Sequence, residues 1–434
     1  MQIPYTKRTL DNGLDVIVHE HRQLPMVAVN VWYHVGSKNE RPGRTGFAHL
    51  FEHLMFEGSQ HYNQGYFQPL QQAGGTLNGS TNPDRTNYWE VVPTGALDLA
   101  LWMESDRMGY LLPALTKEKF ENQRDVVINE RRQNYENRPY GLAGVAISAA
   151  LFSPDHPYHW LTIGSAEDLR AMQLDDVRAF FETYYHPANA SLAIAGDIES
   201  DRAFGLAEDY FGDLPPGPRP APVSATAALS ASPRLLLEDR VELPRLYLAW
   251  HSPAMFGPYD AELDLAADLL SHGKTSRLYQ LLVYEKRIAA DVVAYQHSRE
   301  ISGVFQIAAT AAQGVSLETL YEVIMQSVTA LATDGPTTDE LERAHAQTDA
   351  QFVYRIQTIG GFGGKSDQLN AYNVFRGTPG FFDRDRARYD SATADGIATA
   401  VRDWLVGRPH VSLSVVPRGS SARALTGSAE VAVS

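Results

Sequence analysis

The sequence predicts an α+β fold used twice: two similar domains, each a mainly antiparallel sheet with helices packed on one face. Three observations predict it. At 434 residues the chain exceeds what one hydrophobic core usually serves. A proline-rich run, Leu214-Pro215-Pro216-Gly217-Pro218-Arg219-Pro220-Ala221-Pro222-Val223, followed by a Ser/Ala stretch to Pro233, makes a stiff connector that cuts the chain nearly in half. The two halves then repeat one another, with strands and helices at hairpin-like rather than βαβ spacing. The expected organisation is a first domain over 1–215, a linker over 216–234 and a second domain over 235–434.

The elements follow in order. Gln23-Leu24-Pro25 leads into a strand-like run over 26–33, and Glu242-Leu243-Pro244 leads into its counterpart over 245–251. Each is followed by a Gly/Pro-containing loop and an amphipathic helix, over 49–56 in the first half and 263–270 in the second. In the first of these helices Phe47, Leu50, Phe51, Leu54 and Met55 keep the apolar spacing i, i+3, i+4, i+7, i+8. At about 100° per residue, His49, Glu52, His53 and Phe56 fall on the opposite face. The segment Gly74-Gly75-Thr76-Leu77-Asn78-Gly79-Ser80-Thr81-Asn82 reads by itself as a hairpin with Asn-Gly turn chemistry. A charged helix over 116–138 opens with Thr116-Lys117-Glu118-Lys119 and closes before Pro139. Near the end of each half, Ser165-Ala166-Glu167-Asp168-Leu169 leading to Phe180-Phe181 matches Ser391-Ala392-Thr393-Ala394-Asp395 leading to Trp404-Leu405. Each then turns into an alternating strand, over 190–195 and 410–416. An internal duplication is the simplest account.

Composition narrows the function. The formal charge of −15 argues against nucleic acid as a general partner, because phosphate neutralisation needs basic patches and none stands out. The absence of cysteine removes disulfides, thiolate nucleophiles and Cys-type zinc sites. There is no phosphate-binding glycine loop and no G-x-S-x-G nucleophile elbow. No apolar stretch reaches the length of a membrane span, and residues 1–8 contain no apolar signal region. The chain as numbered is expected to be cytoplasmic, or periplasmic if a signal peptide was removed before numbering began.

The chemistry concentrates in His49-Leu50-Phe51-Glu52-His53. Two neutral imidazoles at i and i+4 can hold one Zn²⁺, and a carboxylate between them can take a proton from water. The plainer reading is a surface helix with solvated histidines. Two histidines leave a catalytic zinc one protein ligand short. Glu130 is the strongest positional candidate for the third, beside Val126 and Val127 on what should be the buried side of its helix, while Glu118 and Glu136 look solvated. Helical charge runs are nevertheless usually wet faces.

The H-x-x-E-H order, the reverse of the thermolysin-type H-E-x-x-H, marks the inverzincins. Together with Arg124-Asp125-Val126-Val127-Ile128-Asn129-Glu130, it resembles the insulinase/pitrilysin family of zinc metallopeptidases, which includes mitochondrial processing peptidase and bacterial homologues. The resemblance covers essentially the whole chain. It implies His49, His53 and Glu130 as zinc ligands, Glu52 as the base, Phe56 lining the pocket, and Asn78 and Gly79 holding a peptide added as a strand at a sheet edge. It also implies two homologous domains, four of which enclose a chamber in the complete peptidase. Family members often carry an acid seven positions before the third ligand; Gln123 stands there, which puts that accessory role in doubt.

The duplication bears on where the chemistry was kept. On the shared helix, His49, Glu52 and His53 align with Asp264, Ala267 and Asp268, so the second half should lack a metal site. The family's substrate-clamping Arg and Tyr, seven residues apart, align with Val283 and Ala290. Arg277 and Tyr284 have the spacing but lie one turn too early. The expectation is therefore a zinc endopeptidase subunit for unfolded peptides, working as a heterodimer with a homologous chain that carries the clamp. The alternative is a non-catalytic structural or chaperone-like core subunit that kept the fold.

Overall fold

The computed structural model describes residues 2–433, which form two compact units, each with one six-stranded sheet. The first sheet holds β1 (Thr6–Thr9), β2 (Asp15–Glu20), β3 (Met26–Tyr33), β4 (Thr76–Thr81), β5 (Thr86–Pro93) and β6 (Ala190–Gly196), in the order β1-β2-β6-β3-β5-β4. The second holds β7 (Arg234–Asp239), β8 (Arg245–Ser252), β9 (Ala289–His297), β10 (Gly303–Ala311), β11 (Val411–Pro417) and β12 (Ala429–Glu430), in the order β12-β7-β11-β8-β10-β9. With the outermost β1 and β12 set aside, the two orders correspond strand for strand. The parallel pair sits in the same place in both, β2 with β6 and β7 with β11, and the pairings from β6 to β4 and from β11 to β9 are antiparallel. The α+β class and the duplication read from the sequence are thus present in the topology.

Strand alternation gives each sheet two faces. In the first unit Tyr33 points toward the predicted zinc helix, Phe47–Leu54: its ring lies 4.7 Å from Tyr185, which packs at 4.3 Å on Phe51. Trp32 points the other way and meets Phe375 of the helix Lys365–Arg376 edge-on at 5.8 Å. In the second unit, Leu246, Leu248 and Trp250 pack with the helices Asp260–Ser271, Leu317–Asp334 and Ala394–Trp404. Its other face presents Leu235, Leu237, Tyr247 and Ala249 to the helix Ala143–Leu151.

The compact units are therefore not the contiguous stretches 1–215 and 235–434. The first takes the residues up to 130 together with 162–223 and 350–384; the second takes 131–161, 224–349 and the residues from 385 onward. Two helices change sides, and hydrophobic burial is the reason. Ala143–Leu151 is apolar nearly all round, with Ala143, Ala146, Ile147 and Leu151 buried, and Ile147 and Leu151 would each forfeit roughly 1.5–3 kcal/mol if left in water. Helices cover one face of each sheet, as predicted, and a single helix from the other half of the chain covers the opposite face. Between Phe211 and Arg234 there is neither helix nor strand, in keeping with the proline content.

Candidate metal centre and substrate edge

The helix Phe47–Leu54 buries Phe47, Ala48, Leu50, Phe51 and Leu54 and leaves His49, Glu52 and His53 on its partly open side. Its first turn would leave backbone N–H groups without partners. The buried Glu40 carboxylate meets that need, accepting from Gly46 N at 3.0 Å and Ala48 N at 2.8 Å. A negative charge at the positive end of the helix adds to the effect.

His49 and His53 lie one turn apart with ring centroids 4.9 Å from each other. Glu130 closes the set. Its Oε2 stands 3.7 Å from His49 Nε2 and 3.4 Å from His53 Nε2, and one donor atom from each of the three residues lies within 4.8 Å of the other two. Ligands about 2.0–2.1 Å from a tetrahedral zinc are separated by roughly 3.3–3.4 Å. The donor set and its spacing therefore fit that ion. Burial and the neighbouring His53 push His49 down to about 4, against the pull of Glu130, so it is the neutral imidazole that a metal requires. His53 goes the other way: burial opposes its charge, but Glu130, Glu52 and Gln123 outweigh burial and raise it.

Glu52 stands apart from the donor set. Its Oε2 accepts the Thr81 hydroxyl at 2.6 Å. Burial raises its carboxyl above the usual range, although Thr81, His53 and Arg85 pull the other way. A raised carboxylate with one oxygen tethered is suited to take a proton near neutral pH. Thr81 carries no signal in the motif. Strand alternation would have found it, because Gly79 and Thr81 share a face of β4.

Val126 departs from expectation. It is 44 % exposed, and it is Val127 that is buried; Val126 shares its helix face with Glu130, four residues on, and that face is open. Gln123 donates to Glu57 Oε1 at 2.8 Å and bonds His53, so it braces a histidine where an acid was expected.

The predicted substrate strand is β4, the terminal strand of its sheet, with Asn78 opposite Trp89 and Gly79 opposite Tyr88. The Asn78 side-chain oxygen accepts the Gly79 N–H at 2.8 Å. Gly79 lies over aromatic rings: a Cβ there would come within 3.0 Å of Tyr88 Cδ1 and 3.1 Å of Phe56 Cε2. Phe56 packs at 4.8 Å on Phe67 and 5.6 Å on Tyr88, beneath the strand. Gly79→Val is accordingly expected to destabilise the protein by about 1–3 kcal/mol through overpacking, read as a lower urea midpoint. An unchanged midpoint would mean that the Phe56 stack yields freely.

In the second unit the aligned positions are otherwise engaged. Asp264 is partly buried, accepts the Tyr389 hydroxyl at 2.6 Å, and is pushed up to about 8 by desolvation and by Asp260. Ala267 is buried, and Asp268 faces His272 at 3.7 Å. Among the described residues, His49, His53 and Glu130 are the one group of three side chains spaced for a metal. Arg277 is held by Glu340 through two bonds of 2.8 and 2.7 Å and by Gly335 O at 2.8 Å, whereas Tyr284 is 68 % exposed. No helix of the described residues is long and apolar enough to cross a membrane.

Residues 16–156 match the family profile described as Insulinase (Peptidase family M16), and residues 171–348 match the Peptidase M16 inactive domain. The Helicobacter pylori protein named zinc protease PqqE is 30 % identical over 359 residues, 81 % of this chain and 80 % of that protein. An uncharacterized zinc protease of Mycobacterium leprae is 26 % identical over 95 % of this chain and 93 % of its own length. Among solved structures, a Helicobacter pylori protease superimposes with a TM-score of 0.87 at 25 % identity, covering 96 % of this chain and all of that one. The Escherichia coli periplasmic protease PqqL has the same fold with a TM-score of 0.78 at 17 % identity, this chain covering 50 % of its length.

Proposed function

The chain belongs to the insulinase family, peptidase family M16, and from that premise we propose that it is the catalytic subunit of a zinc-dependent endopeptidase acting on unfolded peptides. One observation carries the reading. Two imidazole nitrogens and a carboxylate oxygen converge at zinc-like spacing while a tethered, proton-hungry carboxylate stands on the same helix face. The alternative of a non-catalytic core subunit leaves that convergence without a role.

His49, His53 and Glu130 would hold the metal; when bound, zinc supplies Lewis acidity to a scissile carbonyl and to an attacking water. Glu52 takes the proton of that water and returns it to the leaving amine, while Thr81 keeps one carboxylate oxygen in place. The free edge of β4 holds an extended peptide through main-chain hydrogen bonds, which read shape rather than sequence. Asn78 gives up its bond to Gly79 as the added strand takes the edge. The family's Arg/Tyr clamp is missing from its aligned positions, and Arg277 is committed to Glu340, so a homologous partner chain supplies it. The pairing is in keeping with PqqL, which is twice as long as the segment this chain matches.

The test is to measure zinc content and then digest one sequence in two states, as an unfolded peptide and inside a stable domain. One zinc per chain and cleavage of the unfolded form alone are expected, since a folded domain's main chain is already paired. Equal rates on both would defeat the strand-addition mechanism, and a chain without stoichiometric zinc would favour the non-catalytic role.

A further inference from the structure

A second aromatic surface lies on the other side of the same edge. Gly79 pairs with Tyr88 on the face of the helix Phe47–Leu54, and Asn78 pairs with Trp89 on the opposite face. Trp89 carries Phe362, whose ring stands edge-on to the indole at 5.4 Å and 87°. Phe362 is 51 % exposed, yet it is not on a loose loop. It sits in Gly360-Gly361-Phe362-Gly363-Gly364, where Gly360 lies so close to the sheet that a Cβ would meet Ala28 Cβ and Val91 Cγ2 at 2.6 Å. Gly363 N donates to Asp367 Oδ2 at 2.8 Å. The other oxygen of that buried carboxylate accepts from Trp32 Nε1 at 2.8 Å, Asn87 Nδ2 at 3.1 Å and Asn30 Nδ2 at 3.3 Å. Asn87 in turn accepts the Ser80 hydroxyl of β4 at 2.7 Å. One carboxylate thus ties the loop to β3, to β5 and, through Asn87, to the edge strand. The Phe362 ring is thus held in a fixed position beside the edge strand with half of its surface open.

We propose that Trp89 and Phe362 form a subsite for a large apolar, above all aromatic, side chain of a peptide strand added to β4. The inference rests on the strand-addition reading above. Successive side chains of an added strand alternate between faces. Those facing the metal helix meet Phe56, and those facing away pass Asn78 and turn toward the Trp89–Phe362 pair. The added strand would lie two strand spacings, roughly 10 Å, from β5. Only a long side chain leaning back over Asn78 closes that gap, and a small one leaves the Phe362 ring wet. Aromatic pairs gain beyond simple burial, so the subsite selects for size and ring character and makes no demand on charge.

The experiment uses the zinc-loaded full-length chain carrying Glu52→Gln, so that binding is read without turnover. A fluorescein-labelled, unstructured Ala/Ser peptide with one Phe moved position by position is titrated by anisotropy. Phe is expected to tighten binding about twofold to tenfold at positions that alternate. Adding Phe362→Ala should erase the gain at one parity and keep it at the other, while Phe362→Leu retains most of it. An unaltered profile in Phe362→Ala, or no preference for Phe at any position, overturns the subsite. So does an equal loss at every position, which would make Phe362 a support of the fold. If the parity pattern is present but the unsubstituted chain, supplied with its partner, cleaves none of these peptides, the subsite stands and the endopeptidase reading falls.

Discussion

Glu52→Gln is expected to leave zinc bound and to reduce peptide hydrolysis by about 10²–10⁴-fold, the range over which a positioned proton-transfer group contributes. The amide keeps the shape of the side chain and can still bond Thr81, whose hydroxyl lies 2.6 Å from Glu52 Oε2, so the helix should not move. What is lost is the proton acceptor. The ligand variants should behave oppositely: His49→Ala, His53→Ala and Glu130→Gln each remove one of three converging donors and should empty the site, with activity lost as a consequence of metal loss. Gln123→Ala removes a brace on His53 and a bond to Glu57, and should weaken zinc binding far less, by about 10–100-fold at most. Metal analysis beside single-turnover hydrolysis separates the two classes. If Glu52→Gln emptied the site while Glu130→Gln left it full, the assignments of base and ligand would be reversed.

The purified chain alone should bind zinc yet cleave peptides feebly, and a homologous chain without H-x-x-E-H should restore activity at a one-to-one ratio by about 10²–10³-fold. That is the usual worth of one positioned donor to a developing oxyanion. The structural argument is the fate of the candidates on this chain. Val283 and Ala290 have nothing to donate, and the guanidinium of Arg277 is held by both oxygens of Glu340, which lowers that carboxyl to about 2. Freeing Arg277 would leave Glu340 without its partner. Full activity from a homogeneous preparation would show that no second chain is needed.

Much of this was legible in the sequence, and the part that was not has a physical reason. The helix Phe47–Leu54, read from the sequence over 49–56, announced itself because its core residues recur with helical period and its histidines fall between them. The duplicated strands were legible because β3 and β8 follow the same Leu-Pro pair. Val126 was misjudged because its direction about the helix is not determined by a local run of apolar residues, whereas Thr81 was readable from its alternation with Gly79 once that segment is taken as a strand. The exchange of Ala143–Leu151 and Lys365–Arg376 was out of reach. A helix apolar on every side says that it must be covered and not by what. Asp367 was equally silent: one acid among 52 acidic residues, it matters only because Trp32, Asn30 and Asn87 are brought to it from two strands.

That exchange sets the order of events at the ribosome. Asn370 bonds the backbone of Asn30 at 2.8 Å across 340 residues of chain, a contact whose loop must close before it contributes anything. At about 5–20 residues per second, synthesis takes roughly 20–70 s to pass from the end of β3 to the end of the helix that covers its second face. For that interval β3, whose neighbour β6 is itself made only by residue 196, presents Ala28 and Trp32, both buried in the finished protein, to water or to whatever binds emerging chains. A fragment ending at the proline-rich connector would stay in that condition permanently, and should be recovered as aggregate or in complex with a chaperone.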